Sequence, residues 1–198
     1  MINKFRKYLN YKNLKDENYK YLFDSYDGDE YIVFDCETTA LNPKKAELLS
    51  IGAVKVKGNK ILTSENFNIF VKPKKDISIE SIKVHHIRYC DLDSAYDSDI
   101  AIKKFLNFIG NRPLIGYYLE FDVKMINKYL KPLLGIKLPN KQTEVSGLYF
   151  DKKIERIPQG NVDLRFDSII KDLNIPMLGK HSALNDAVMT AMIFLKLK

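Results

Sequence analysis

The chain has only two cysteines in 198 residues, Cys36 and Cys90. That is too few for a disulfide framework, so a reducing, cytoplasmic setting is expected. No stretch approaches the roughly 18 consecutive apolar residues of a transmembrane helix, and no membrane partner is expected. The N-terminal segment MINKFRKYLNYKNLKDENY is charged throughout and lacks the apolar centre of a secretory signal. Internal repeats and low-complexity tracts are also missing, which excludes a repeat array. What is present suffices for a folded core: 45% of residues are hydrophobic and 12% aromatic, in a length suited to one domain. Basic residues outnumber acidic ones, 32 to 25, for a net charge of +7. A polyanionic partner would suit that balance, because lysines can replace counterions along a phosphate backbone. A lysine-rich solvated surface gives the same count, and composition leaves both readings open.

Residues 1–26 read as helical, with Phe5, Tyr8, Leu9, Tyr11, Tyr19, Leu22 and Phe23 spread among Lys, Asn and Asp. These aromatics predict an amphipathic helix packed on the domain or on a second copy, which would make a homodimer. Lys4, Arg6, Lys7 and Lys12 could instead extend a phosphate-binding surface. Asp27-Gly28-Asp29 marks a turn before the apolar run Tyr31-Ile32-Val33-Phe34, which suits a strand buried on both faces. Strands are predicted over Leu48–Lys57 and Lys60–Val71, joined by the hairpin signal Gly58-Asn59. Helices are predicted over Ser78–Val84, Ala95–Ile109, Leu119–Leu130, Leu164–Leu173 and Ala183–Leu197, with a short strand at Leu114-Ile115. Residues 131–160 read as irregular, punctuated by Pro132, Gly135, Pro139, Pro158 and Gly160. Strands first and then alternating with helices indicate an α/β protein with a mixed sheet covered by helices.

Asp35-Cys36-Glu37 closes the first strand. Residues two apart on a strand share a face, so the two carboxylates project together and Cys36 turns the other way. Their mutual repulsion calls for either a divalent cation or exposure in a loop. Asp122 opens a helix, where the macrodipole favours an acid in any case. Asp186 lies in a helix whose other positions are apolar on nearly every side; it is an acid with a partner or a mere helix-start acid. His181 precedes it, on a loop if Ser182 is the N-cap of the last helix. There it is either a surface residue or a base free to swing.

Asp35-Cys36-Glu37-Thr38-Thr39-Ala40-Leu41, then Phe121-Asp122, then His181-x-Ala183-x-x-Asp186 follow one another in the order of a known set. They resemble the three exonuclease motifs of the DnaQ-like, or DEDDh, 3′→5′ exonucleases, the family that includes the proofreading epsilon subunit of bacterial DNA polymerase III. The resemblance covers roughly residues 30–197 and leaves a helical extension, residues 1–29, outside an exonuclease domain of residues 30–198. It implies an RNase H-like fold with a five-stranded mixed sheet flanked by helices, and two Mg²⁺ or Mn²⁺ ions. It further implies that Asp35, Glu37, Asp122 and Asp186 hold the metals, with Asp35 shared between both, and that His181 accepts the proton of the attacking water. Thr38 and Leu41 resemble family positions that contact the terminal nucleotide, or are turn residues with ordinary packing. Phe121 reads as a core residue beside the site, and Tyr117 is a substrate-contact candidate that adds bulk near Asp122. The implied partners are nucleic acid with a free 3′ end, single-stranded DNA first, and a DNA polymerase.

The chain departs from the family where Ala40 replaces a frequent Gly, where Tyr117-Tyr118-Leu119 replaces His-Asn-Ala, and where His85-His86-Ile87 replaces His-Gly-Ile. His85 is read as structural or peripheral. A strand ending in D-x-[DE]-x-T is also similar to haloacid-dehalogenase phosphatases, but Glu37 and His181 argue against that class. A non-catalytic nucleic-acid-binding module would be expected to lack some of the acids, and an exoribonuclease remains the alternative within the enzyme class. With Lys198 directly after the last predicted helix, a stand-alone exonuclease is expected over a polymerase-associated one.

Overall fold

The computed structural model describes residues 2–156, 161–179 and 181–198. Five strands form one sheet in the order β3-β2-β1-β4-β5. Strands β1 (Glu30–Thr38), β2 (Leu48–Lys57) and β3 (Lys60–Phe70) form an antiparallel meander. Strands β4 (Leu114–Gly116) and β5 (Gln142–Glu144) continue the sheet in parallel with β1. The expected five-stranded mixed sheet flanked by helices is present.

The central position of β1 explains its apolar run. Its Ile32 and Phe34 face a core shared with α3 (Ser98–Ile109) and α4 (Leu119–Leu134), including Phe105, Leu106 and Ile126. Its Val33 faces the opposite core with α5 (Val145–Arg156), α6 (Phe166–Asp172) and α7 (Ala183–Leu197). A strand covered on both faces has no polar side, so alternation disappears. The edge strand β3 is exposed at Lys60, Glu65, Asn66 and Asn68. That polar rim discourages pairing with another chain.

Several boundaries differ from the expectations, each for a physical reason. The N-terminal segment is two pieces, α1 (Ile2–Lys12) and a 3-10 helix at Glu17–Phe23 started by Asp16, whose side chain accepts the Asn18 N–H at 3.0 Å. Tyr19 and Leu22 are buried in the α4 core, whereas Phe5, Tyr8, Leu9 and Tyr11 stay exposed. Helix α3 begins at Ser98, because the Tyr96 backbone is drawn into a bridge with Val71. Helix α4 continues through Pro132 to Leu134, whose side chain is 2% exposed. Only the last turn loses a donor there, and apolar burial outweighs it. The stretch expected to be irregular holds β5 and α5. Val145 and Tyr149, one helical turn apart, are both buried, while Gly147 obscured that period. Pro158 and Gly160 lie outside the described residues. No helix among the described residues is long and apolar enough to cross a membrane.

Candidate active site

The acids gather at the C-terminal end of β1. Asp35 and Glu37 share the face toward α7, and ligand atoms of Asp35, Glu37 and Asp186 lie within 4.8 Å of one another. Helix α7 can come this close because Gly52 stands opposite Asp35 in the β1–β2 register. A Cβ there would sit 2.1 Å from the Leu184 backbone nitrogen. Sequence reasoning missed Gly52; its signal was a glycine inside a strand pattern, which marks close approach of another backbone.

Asp122 arrives from the other side of the sheet. It is in the first turn of α4, 3% exposed, and its carboxylate draws hydrogen bonds from Cys36 and from its own backbone. Cys36 therefore turns away from Glu37, as expected of a strand, but toward the fourth acid. Burial and the neighbouring carboxylates push the Cys36 thiol up, keeping it a protonated donor.

Electrostatically the cluster is overcharged. Burial first, and then Asp122, Glu37 and Asp186, raise Asp35 well above the usual carboxylate range. Burial and Asp186 raise Glu37 from 4.5 to about 7. Burial raises Asp122, against the hydrogen bonds from Cys36 and its own backbone. Gathered, buried carboxylates hold protons more tightly, and oxygen-rich sites of this kind suit hard divalent cations.

A cavity of about 360 Å³ opens over the acids, and all nine candidate residues line it. His181 is exposed on the bend before α7, with Ser182 in the N-cap position and φ 59°. Thr38 donates from Oγ1 to the Ala40 carbonyl at 3.0 Å, and Leu41 is 86% exposed at the rim. Phe121 is buried beside the cavity, and the Tyr117 hydroxyl donates to the Leu164 carbonyl at 3.0 Å. Val84, Phe166 and Thr190 line it as well and were not foreseen, since no chemistry in their side chains distinguishes them from core residues. Tyr118 stands exposed, its ring stacked on Phe121 at 6.0 Å with an 11° interplanar angle. His85 is buried: its Nδ1 accepts the Ile87 N–H at 3.0 Å, so Nε2 carries the proton and donates to Ser81 Oγ at 2.6 Å.

With sheet and acids placed, comparison with known proteins gives the class. Residues 32–194 match the exonuclease family RNase_T, and the chain belongs to that family. Among relatives, the DNA polymerase III subunit epsilon of Aquifex aeolicus is 30% identical over 84% of this chain and 79% of its own. The PolC-type DNA polymerase III of Clostridium perfringens is 32% identical over 86% of this chain, and that of Thermotoga maritima 27% over 87%. The chain spans only 11% and 12% of those two PolC-type relatives. In structure it resembles cell-death related nuclease 4, with a TM-score of 0.72 at 16% identity, covering 85% of this chain and 63% of that one. Exonuclease I gives the same TM-score at 13% identity, covering 86% and 41%. These likenesses establish the RNase H-like fold.

Proposed function

We propose that this chain is a metal-dependent 3′→5′ exonuclease of the DEDDh type, releasing 5′-mononucleotides from single-stranded DNA. The observation that carries this reading is the convergence of Asp35, Glu37 and Asp186 within 4.8 Å, over a buried Asp122 and beneath His181. Asp35, Glu37, Asp122 and Asp186 would hold two Mg²⁺ or Mn²⁺ ions, and the raised proton affinities of Asp35, Glu37 and Asp122 fit a site that favours positive charge. When bound, such ions activate water and neutralise charge on the phosphodiester. His181 accepts the proton of the attacking water. Its place on an exposed loop at the cavity lets the ring reach that water. Thr38, Leu41, Phe121 and Tyr117 shape the pocket for one terminal nucleotide, and a free 3′ end with unpaired bases enters most readily.

The relatives' names make a DNA polymerase a candidate partner. We read residues 1–29 as an extension to an exonuclease domain of residues 30–198; deleting 1–26 would strip Tyr19 and Leu22 from the core and lower thermal stability. A change in oligomeric mass on that deletion would assign α1 to a homodimer instead.

The test is hydrolysis of oligonucleotides labelled at the 5′ end, DNA and RNA side by side, with Mg²⁺ or Mn²⁺. A descending ladder is expected, faster on DNA and on single strands than on blunt duplexes. His181→Ala should slow turnover by about 10²–10⁴-fold. Equal digestion in excess EDTA, or immediate release of labelled mononucleotide, would overturn the mechanism or the direction respectively.

A further inference from the structure

The chain contains three histidines, and His85 and His86 lie close to His181, which lines the acidic cavity, although about 95 residues of sequence separate them. His86 and His181 meet ring to ring, their centroids 6.0 Å apart at 65°. Both hold the left-handed backbone conformation, with φ of 57° and 59°. Non-glycine residues rarely adopt it, and such outliers persist where the surrounding structure enforces them.

The enforcement at His86 is visible. It caps the C-terminal end of α2 (Ile79–His85), its N–H bonded to the Ile82 carbonyl at 2.8 Å. The next N–H, of Ile87, is taken by the buried His85 ring, which Ser81 anchors in turn. Buried Ser81, His85 and Ile87 thus act as a peg that fixes the turn and leaves His86 exposed, facing His181. His181 needs such a neighbour. It sits on an exposed bend, and among the described residues no hydrogen bond is found on its ring. A base that swings freely spends little time within reach of the water it must deprotonate.

We propose that His86 is a positioning residue, its ring acting as a stop that keeps the His181 imidazole turned toward the acids. The inference rests on His181 being the base. His86 itself touches neither the acids nor the reacting phosphate in this assignment; it acts through His181.

The discriminating substitution is His86→Gly, which removes the ring and relieves the left-handed backbone together. The expected result is an equal or higher Tm, a KM within about twofold, and a kcat lowered roughly tenfold, the scale of a modest loss of orientation. In a His181→Ala background the same substitution should cause no further loss of kcat, because the residue it positions is gone. A purely structural His86 would instead lower Tm. Unchanged kcat in His86→Gly, or a loss that persists in full without His181, overturns the proposal while leaving the base assignment standing. Unchanged kcat in His181→Ala overturns both.

Discussion

The two ends of α4 are built by opposite rules. At its C-terminal end Gly135 takes a left-handed turn (φ 78°) open to glycine without strain, and its N–H returns to the Lys131 carbonyl. The backbone of residues 13–15 closes over that end: the Lys15 N–H reaches the Leu134 carbonyl at 3.0 Å, and Lys15 Nζ the Pro132 carbonyl at 2.8 Å. At its N-terminal end Tyr118 takes the same left-handed conformation (φ 55°) with a large side chain, at a cost of about 1–2 kcal/mol. One turn later Asp122 is buried among carboxylates that repel it. Apart from the donor lost at Pro132, one end follows its local preferences; the other violates two in succession. Strain at the acidic end is tolerable because the opposite end and the flanking cores hold the helix in place.

If that division is right, substitutions at the acidic end should kill activity without loosening the fold, and the reverse should hold at the far end. The largest effect is expected from Asp35→Asn, Glu37→Gln, Asp122→Asn and Asp186→Asn, each lowering kcat by more than about 10³-fold. Asp122→Asn should at the same time raise the melting temperature of the metal-free protein above pH 7, since it removes a buried charge. A fall in that temperature would break the comparison.

Proton linkage at Glu37 comes next. Its affinity is raised from 4.5 to about 7, so between those values the folded chain holds a proton that the unfolded chain releases. Metal-free stability should therefore be highest below pH 4.5 as far as this group is concerned, and fall as pH rises through about 7. The loss is on the order of 3 kcal/mol. Urea unfolding across pH in EDTA would measure it, and Glu37→Gln should flatten the slope. Added Mg²⁺ should recover stability at pH 8 and bind more weakly at pH 6, where protons compete for the cluster.

At the far end, Gly135→Ala puts a Cβ 2.1 Å from the Asn13 carbonyl oxygen on a backbone with φ 78°. It should cost at least about 2 kcal/mol of stability and leave kcat unchanged at low temperature. A kcat loss in fully folded protein would show that the two ends are coupled. The smallest effect is expected from Tyr118→Asn. Asparagine tolerates the left-handed region, so stability should rise slightly, while lost stacking on an unpaired base should raise KM for single strands about tenfold. An unchanged KM would make Tyr118 a bystander.

The candidate acids were legible as a set only through the order of the three motifs. Strand alternation puts Asp35 and Glu37 on one face and Asp186 stands out in an apolar helix, but each acid alone, Asp122 above all, also fits a structural role. β2 and α7 were readable to the residue, since long apolar periods report long buried elements. β5 and α5 were not. A three-residue edge strand of Gln142, Thr143 and Glu144 has no apolar signature, and what makes it a strand is the row of free donors and acceptors on β4.

By itself the sequence determined which residues carry charge, which elements are long enough to be buried, and the order in which the acids follow one another. Those are properties of local periodicity and side-chain chemistry. Only the tertiary structure decided that α7 lies against Gly52, bringing Asp186 to Asp35, and that Asp122 reaches the cluster from the opposite face beside Cys36. It also decided that His86 and His181 meet. Such contacts depend on packing between elements distant in the chain, where shape and backbone approach, and not periodicity, select the neighbour.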